Sequence, residues 1–116
     1  MALLESVDFS NLDKVKLVMD WVTFLLKKVG HQRLLDVLEY YVDVGWLSRE
    51  LKDELFNYSK GFGGIGPKKT DFKLSIDDHI TSLKYIMKLS ESGMNEEEFE
   101  VLARKLAKLG GLEFGS

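Results

Sequence analysis

The sequence predicts an all-α fold: a single compact domain of about five helices, with a glycine-rich loop between the third and the fourth. Apolar residues recur at spacings of three and four along most of the 116-residue chain, which is typical of one face of an α-helix. Alternation typical of a strand never extends beyond about five residues. A chain of this length is sufficient for one domain and too short for two ordinary ones.

The first helix is predicted to begin near Ser10 or Asn11, with Ser10 as its N-cap, and to end at Gly30. One apolar stripe follows the helical spacing: Leu12, Val15, Met19, Val22, Leu26 and Val29. A second set widens it: Val18, Trp21 and Leu25. This width indicates a central helix that is buried on two sides. In the alternative interpretation, Trp21 or Phe24 contacts a partner protein.

Two shorter helices are predicted next. The second runs over about residues 32–43 and is ended by Gly45, because glycine is favoured after a helix C-terminus. Trp46 follows in a short apolar bridge. Ser48 is a good N-cap, so a third helix is predicted over about residues 49–58.

Residues 60–73 contain the only proline of the chain and a cluster of glycines, so we predict a mobile loop that joins helical subunits 10–59 and 74–110. Ser75 and Asp78 have the spacing of a capping box at the start of the fourth helix. The predicted core face of that helix consists of Ile76, Ile80, Leu83 and Met87, with Ile86 adjacent.

A last helix is predicted to begin at Asn95 and to stop at Gly110 and Gly111. Its acidic start and basic end complement the helix dipole, although pairing with a second copy of the chain remains open. The single domain is predicted to span residues 1–111, and residues 112–116 are interpreted as a disordered tail or a vector remnant.

Composition excludes several classes of function. The net charge of −3 and the pI of about 5.4 argue against a nucleic-acid binder and against electrostatic docking on an anionic membrane. The chain has no cysteine, so it cannot form disulfides or thiolate metal sites. The acidic N-terminus lacks the features of a signal peptide.

No catalytic, cofactor-binding or metal-binding residue is predicted. The chain has only two histidines, His31 and His79, and the neighbours of His79 in Asp-Asp-His do not point the same way on a helix. Gly61 and Gly66 have the spacing of a phosphate-binding loop, but Pro67 replaces the lysine and no strand precedes the loop. We therefore predict a protein that is not an enzyme.

Three short patterns are more specific. They are W-x-x-F-L…V-G at residues 21–30, L-x-Y-Y-x-x-x-G-W-L-S at residues 38–48, and D-H-x-x-S-L-K-Y-I at residues 78–86. Their combination resembles the archaeal flagella accessory protein D/E family, the cytosolic D and E components of the archaellum motor. The resemblance covers most of residues 12–89.

This resemblance implies a scaffold role at the cytosolic base of the motor, peripheral to the inner face of the membrane. The implied partners are other C, D and E components, a RecA-like motor ATPase and a chemotaxis adaptor; the membrane is reached only through the motor. The chain then corresponds either to an E protein or to the C-terminal domain of a D protein. Two alternatives stay open: an adaptor of a KaiC-like ATPase outside motility, and a small ligand-binding protein or enzyme.

Interface hot spots are enriched in large aromatic side chains, so we expect a few of the aromatic residues of this chain to contact a partner. The predicted partner-binding candidates are Trp21, Phe24, Tyr40, Trp46, His79 and Tyr85.

Overall fold

A computed structural model describes residues 2–63, 74–90, 101 and 104. Within these residues the chain forms three α-helices and no β-strand: α1 (Leu12–Asp43), α2 (Arg49–Ser59) and α3 (Ile76–Ser90). The predicted all-α class is confirmed, but the count of about five helices is not supported. Val101 and Arg104 are helical; the rest of the predicted last helix, most of the glycine-rich loop and the tail lie outside the described residues.

The first two predicted helices are one element with a kink. Gly30 has a φ of 76° and a ψ of 172°, a conformation that glycine adopts without steric cost because it has no Cβ. Helix resumes at His31, so the prediction that α1 ends at Gly30 was wrong. His31 Nε2 lies 3.0 Å from the Gly63 carbonyl oxygen, and this hydrogen bond connects the kink to the chain beyond α2.

The N-cap of α1 is Asn11 and not Ser10. The Asn11 side-chain oxygen accepts a hydrogen bond from the backbone N–H of Lys14 at 3.2 Å. The Ser10 hydroxyl donates instead to the carboxylate of Asp8, which removes it from the capping position. An Asx side chain is as good a cap as serine, so local competition decides between them.

The corner between α1 and α2 is a Schellman motif at Gly45. The backbone N–H of Trp46 donates to the Tyr41 carbonyl at 2.8 Å, and that of Gly45 donates to the Val42 carbonyl at 3.1 Å. Gly45 has a φ of 85°, as the position after the C-cap requires. The rings of Tyr41 and Trp46 stack with centroids 4.9 Å apart, which is the apolar contact that accompanies this motif.

The start of α2 and the N-terminal segment are held by one serine. The Ser48 hydroxyl accepts the backbone N–H of Leu51 at 3.0 Å, as predicted for an N-cap, and donates to the carbonyl of Glu5 at 2.6 Å. An isolated parallel bridge pairs Leu4 with Leu47 beside it. The segment before α1 therefore lies along the corner between α1 and α2.

Helix α3 runs antiparallel to the first half of α1. Lys14 Nζ is 3.5 Å from the Leu89 carbonyl at one end, and Lys28 Nζ is 3.4 Å from Asp78 at the other. The predicted capping box is confirmed: Ser75 and Asp78 each accept a hydrogen bond from the other's backbone N–H, at 3.1 and 3.0 Å.

The buried face of α3 differs from the predicted face. Ile76 is 40% exposed, and Ile80 and Met87 are only half-buried. The buried residues of the helix are His79, Ser82, Leu83, Ile86 and Leu89. Apolar spacing correctly predicted Leu83 and Ile86. It missed His79 and Ser82 because they are polar and find hydrogen-bond partners on α1.

A similar shift occurs on α1, where Leu12 is 83% exposed and Met19 is also exposed. The core instead uses the second predicted set together with the C-terminal part of the stripe: Val18, Trp21, Val22, Leu25, Leu26 and Val29. None of the described helices is long and apolar enough to cross a membrane.

Candidate functional site

Trp21 and Ser82 make a buried polar contact between α1 and α3. Both side chains are fully buried, and the indole N–H of Trp21 donates to the Ser82 hydroxyl at 2.6 Å. An indole N–H in an apolar interior needs a partner, because burial without one loses its hydrogen bond to water. Ser82 satisfies that donor in only one docking position of α3.

A second buried pair lies at the N-terminal end of α3. The Tyr41 hydroxyl is 2.9 Å from Nδ1 of His79, and their rings meet edge to face with centroids 5.6 Å apart. Two buried polar pairs, Trp21 with Ser82 and Tyr41 with His79, therefore connect α1 with α3.

Burial determines the protonation states of Tyr41 and His79. Desolvation lowers the pKa of His79 to about 4, although the nearby Asp78 carboxylate acts in the opposite direction. Desolvation also raises the pKa of Tyr41 well above its usual range, against the smaller lowering effect of the Ser82 hydroxyl. Both groups are therefore neutral at pH 7, and neither is adjusted to exchange protons near that pH.

A partly exposed rim lies above the buried pairs. The rings of Phe24 and Tyr85 have centroids 6.5 Å apart, and Lys28 Nζ is 6.0 Å from the centroid of Phe24. The same lysine pairs with Asp78. Burial raises the pKa of Asp78, but hydrogen bonds from Ser75 and the charge of Lys28 outweigh this effect and leave the pKa below its usual value.

The six predicted partner-binding residues divide into two groups. Trp21, Trp46 and His79 lie in the interior, with exposed fractions of 0%, 2% and 0%, because each is held by a helix-to-helix or corner contact. Their side chains are therefore not accessible to a partner in this conformation. Phe24 and Tyr85 share the rim, and Tyr40 lies beside His79 with ring centroids 5.8 Å apart; all three are half-buried.

A surface cleft between the end of α1 and the start of α2 was not predicted. It is lined by Glu39, Val42, Asp43, Arg49 and Lys52. Lys52 is only 7% exposed, which is unusual for a lysine. Lys52 directly follows the buried Leu51 in α2. The sequence did not predict its burial, because a lysine in an amphipathic helix is normally expected to face solvent.

The buried polar side chains described above serve the packing of α3 on α1. Within residues 2–63 and 74–90, no set of three or more His, Asp or Glu side chains is placed to hold a metal ion. The Ser82 hydroxyl and the His79 ring each contact a polar atom of α1 across the helix interface. The fold and its interior thus define a small helical domain whose polar core residues determine how its helices dock.

Comparison with known proteins identifies which domain this is. The family described as archaeal flagella protein matches residues 2–91, so the chain belongs to that family, as its sequence patterns predicted. The chain is 31% identical over 100 residues to a flagella-related protein E of Methanococcus voltae, covering 79% of this chain and 70% of the relative. No solved structure matches the chain.

The D proteins are similar over a smaller part of their own length. The chain is 31% identical over 96 residues to a flagella-related protein D of Methanococcus voltae, and 34% identical over 97 residues to one of Methanocaldococcus jannaschii. These matches cover 80% of this chain in both cases but only 26% and 28% of the relatives. The chain therefore spans about a quarter of each D protein.

Proposed function

We propose that this chain is a non-catalytic protein–protein interaction domain of the cytosolic archaellum motor complex, where it links the motor ATPase to chemotaxis signalling. The observation that carries the proposal is membership of the archaeal flagella family across residues 2–91. The interior adds support, because Tyr41 and His79 are neutral at pH 7 and are used to dock α3. In this proposal the domain acts at the inner face of the membrane, through other motor proteins.

The rim formed by Phe24 and Tyr85, with Tyr40 nearby, is the proposed source of aromatic anchors. Partly exposed aromatic side chains on a rigid helix pair bury a large area on binding at a small entropic cost, which is why they dominate interface energies. Lys28 beside Phe24 adds a cation that a partner carboxylate can reach, since its side chain is 39% exposed.

Calorimetric titration tests the proposal. The purified chain is titrated against the purified C, D and E components, the RecA-like ATPase and the chemotaxis adaptor of the same organism. We expect saturable binding to at least one of them. Absence of binding to every component, with each shown to be folded, would contradict the proposal.

A matched pair of variants locates the surface. Tyr85→Ala should weaken binding roughly tenfold or more if this ring is an anchor, since hot-spot truncations cost about 2 kcal/mol or more. Tyr58→Ala is the control, because Tyr58 is also half-buried and packs against Phe9 and Phe62 on the α2 side. Equal losses in both variants would indicate a general loss of stability and not a binding surface.

A further inference from the structure

The cleft between α1 and α2 has walls of opposite charge. Glu39 and Asp43 lie four residues apart on α1, so they share one face of that helix. Arg49 and Lys52 lie three residues apart on α2 and form the facing wall. The half-buried side chain of Val42 supplies the apolar part of the lining.

Lys52 is neutralised within the domain, whereas one charge on each wall is not. Lys52 Nζ is 3.8 Å from Glu39 and 3.4 Å from Asp53. Its nearly complete burial keeps it in place between these two carboxylates. In the part of the chain that the structure describes, neither Asp43 nor Arg49 has an ion-pair partner within 4.0 Å. An open anion and an open cation therefore face one cleft.

The size of the cleft limits what can enter it. Its volume of about 270 Å³ lies below the range of about 300–1,000 Å³ that is usual for sites of small molecules and cofactors. It is nevertheless large enough for side chains. An occupant that carries both a positive and a negative charge can pair with both walls. A simple anion or cation pairs with one wall and is repelled by the other.

We propose that this cleft binds a segment of a partner protein that presents a cationic side chain to Asp43 and a carboxylate to Arg49. This inference rests on the proposed function, because it takes the occupant to be a protein. Charge complementarity determines the orientation of the segment: its cation lies toward α1 and its carboxylate toward α2. Val42 contacts the aliphatic part of the guest side chain.

An NMR titration with N-acetyl-arginine tests the cleft without any motor protein. This probe carries a guanidinium and a carboxylate in one small molecule. In ¹H–¹⁵N spectra of the full chain we expect saturable millimolar binding, with shifts concentrated at residues 39–43 and 49–52. N-acetyl-arginine amide, which lacks the carboxylate, should bind several-fold more weakly. Absence of saturation, equal binding of the amide, or shifts centred elsewhere would overturn the proposal.

A charge-swapped variant tests the two open charges at constant net charge. In Asp43→Arg with Arg49→Asp, the new arginine lies one turn from Glu39 and the new aspartate lies one turn from Lys52, so each can pair on its own helix and neither wall keeps an open charge. The affinity for N-acetyl-arginine should therefore fall at least roughly tenfold. The matched control is Arg33→Asp with Asp36→Arg, which exchanges an exposed ion pair of 3.7 Å on the same helix. Circular dichroism and unfolding of both variants show whether they are folded. Unchanged affinity in a folded cleft variant would overturn the proposal.

The same variants separate this inference from the proposed function. If the unmodified chain binds motor components and the cleft swap weakens that binding while the control swap does not, both proposals are supported. If the cleft swap binds as the unmodified chain does, the cleft inference fails and the proposed function stands. If the unmodified chain binds no motor component but does bind N-acetyl-arginine at the cleft, the proposed function fails and the charge recognition stands.

Discussion

Helices α2 and α3 both pack on α1, but different kinds of interaction determine their positions. The position of α2 is determined locally: residues 44–48 form a tight corner with Gly45 at positive φ and with Ser48 as the cap of the next helix. Of its four buried residues, Leu51 and Leu55 are apolar. The Ser59 hydroxyl donates to the Phe56 carbonyl within the same helix, and Lys52 pairs with Glu39 at the cleft. Because this connection is short and has a defined backbone geometry, it largely fixes the direction of α2 relative to α1.

Helix α3 has no such connection, because residues 60–75 separate it from α2. Its register on α1 depends on the contacts of Ser82 with Trp21 and of His79 with Tyr41. Apolar surfaces tolerate small shifts, whereas a buried hydrogen bond is lost when either partner moves. Where the chain connection is long, buried polar pairs therefore determine the helix position that a tight turn determines elsewhere.

Trp21→Ala should destabilise the packing of α3 on α1 more than any other substitution considered. It removes a large buried side chain and the donor to Ser82, and truncation of this kind costs about 3–5 kcal/mol of the free energy of unfolding. Denaturant unfolding measures the loss, and hydrogen exchange should show earlier opening of α3 than of α2. Leu55→Ala is the matched variant for the other junction, with a cost of about 2–5 kcal/mol and earlier opening of α2. The same order of opening in both variants would contradict the distinction.

Acid should weaken the α3 junction selectively. The pKa of His79 is about 4 in the folded chain and near 6.5 when unfolded, so the unfolded chain binds the proton more tightly. The stabilisation is complete above pH 6.5 and is lost as the pH falls from 6.5 toward 4, up to about 3 kcal/mol. The contribution of Asp78, whose pKa is lowered in the folded chain, is lost only below about pH 4.

Two histidine variants provide the control for this pH dependence. Denaturant unfolding between pH 7 and pH 4.5 should lose its slope in His79→Gln and keep it in His31→Gln. A slope that survives in His79→Gln would mean that another group controls the acid response.

Tyr41→Phe should cost about 1–3 kcal/mol, because it removes the hydroxyl that contacts His79 while the ring stays in place. Replacing both members, as Tyr41→Phe with His79→Leu, should recover part of this loss, since an interior with neither polar partner has no hydrogen bond to lose. Thermal unfolding of the single and double variants measures the coupling energy. Additive losses in the double variant would show that the pair does not interact.

The smallest expected change in the free energy of unfolding comes from a substitution at the N-cap of α2. Ser48→Ala should cost about 1 kcal/mol through loss of the N-cap, and it also removes the contact with the Glu5 carbonyl. Ser75→Ala removes only a cap, from α3, and should also cost about 1 kcal/mol. Hydrogen exchange should accelerate in residues 2–9 for Ser48→Ala and not for Ser75→Ala. Acceleration in both would mean that the N-terminal segment does not depend on Ser48.

Local sequence signals predicted the boundaries of α2, the corner at Gly45 and the capping box of α3, because each depends on residues close together in the chain. They failed at Gly30. The helix is interrupted at this residue, as predicted, but the interruption is a kink within α1 and not the end of a helix. Glycine permits a change of direction there, and only the packing of the residues on both sides decides whether the helix resumes. The cleft was missed for a similar reason, since its two walls belong to different helices.

The helical class, the caps and the membership of the archaeal flagella family could be derived from the amino-acid order alone, because periodicity, capping and short motifs are properties of adjacent residues. The burial of His79 and Ser82, the exposure of Leu12 and the pairing of charges across the cleft were decided only by tertiary structure. The physical reason is that polar side chains such as His79 and Ser82 are buried at a helix interface because distant residues, Tyr41 and Trp21, form hydrogen bonds with them. The positions of those distant residues are known only once the helices have packed.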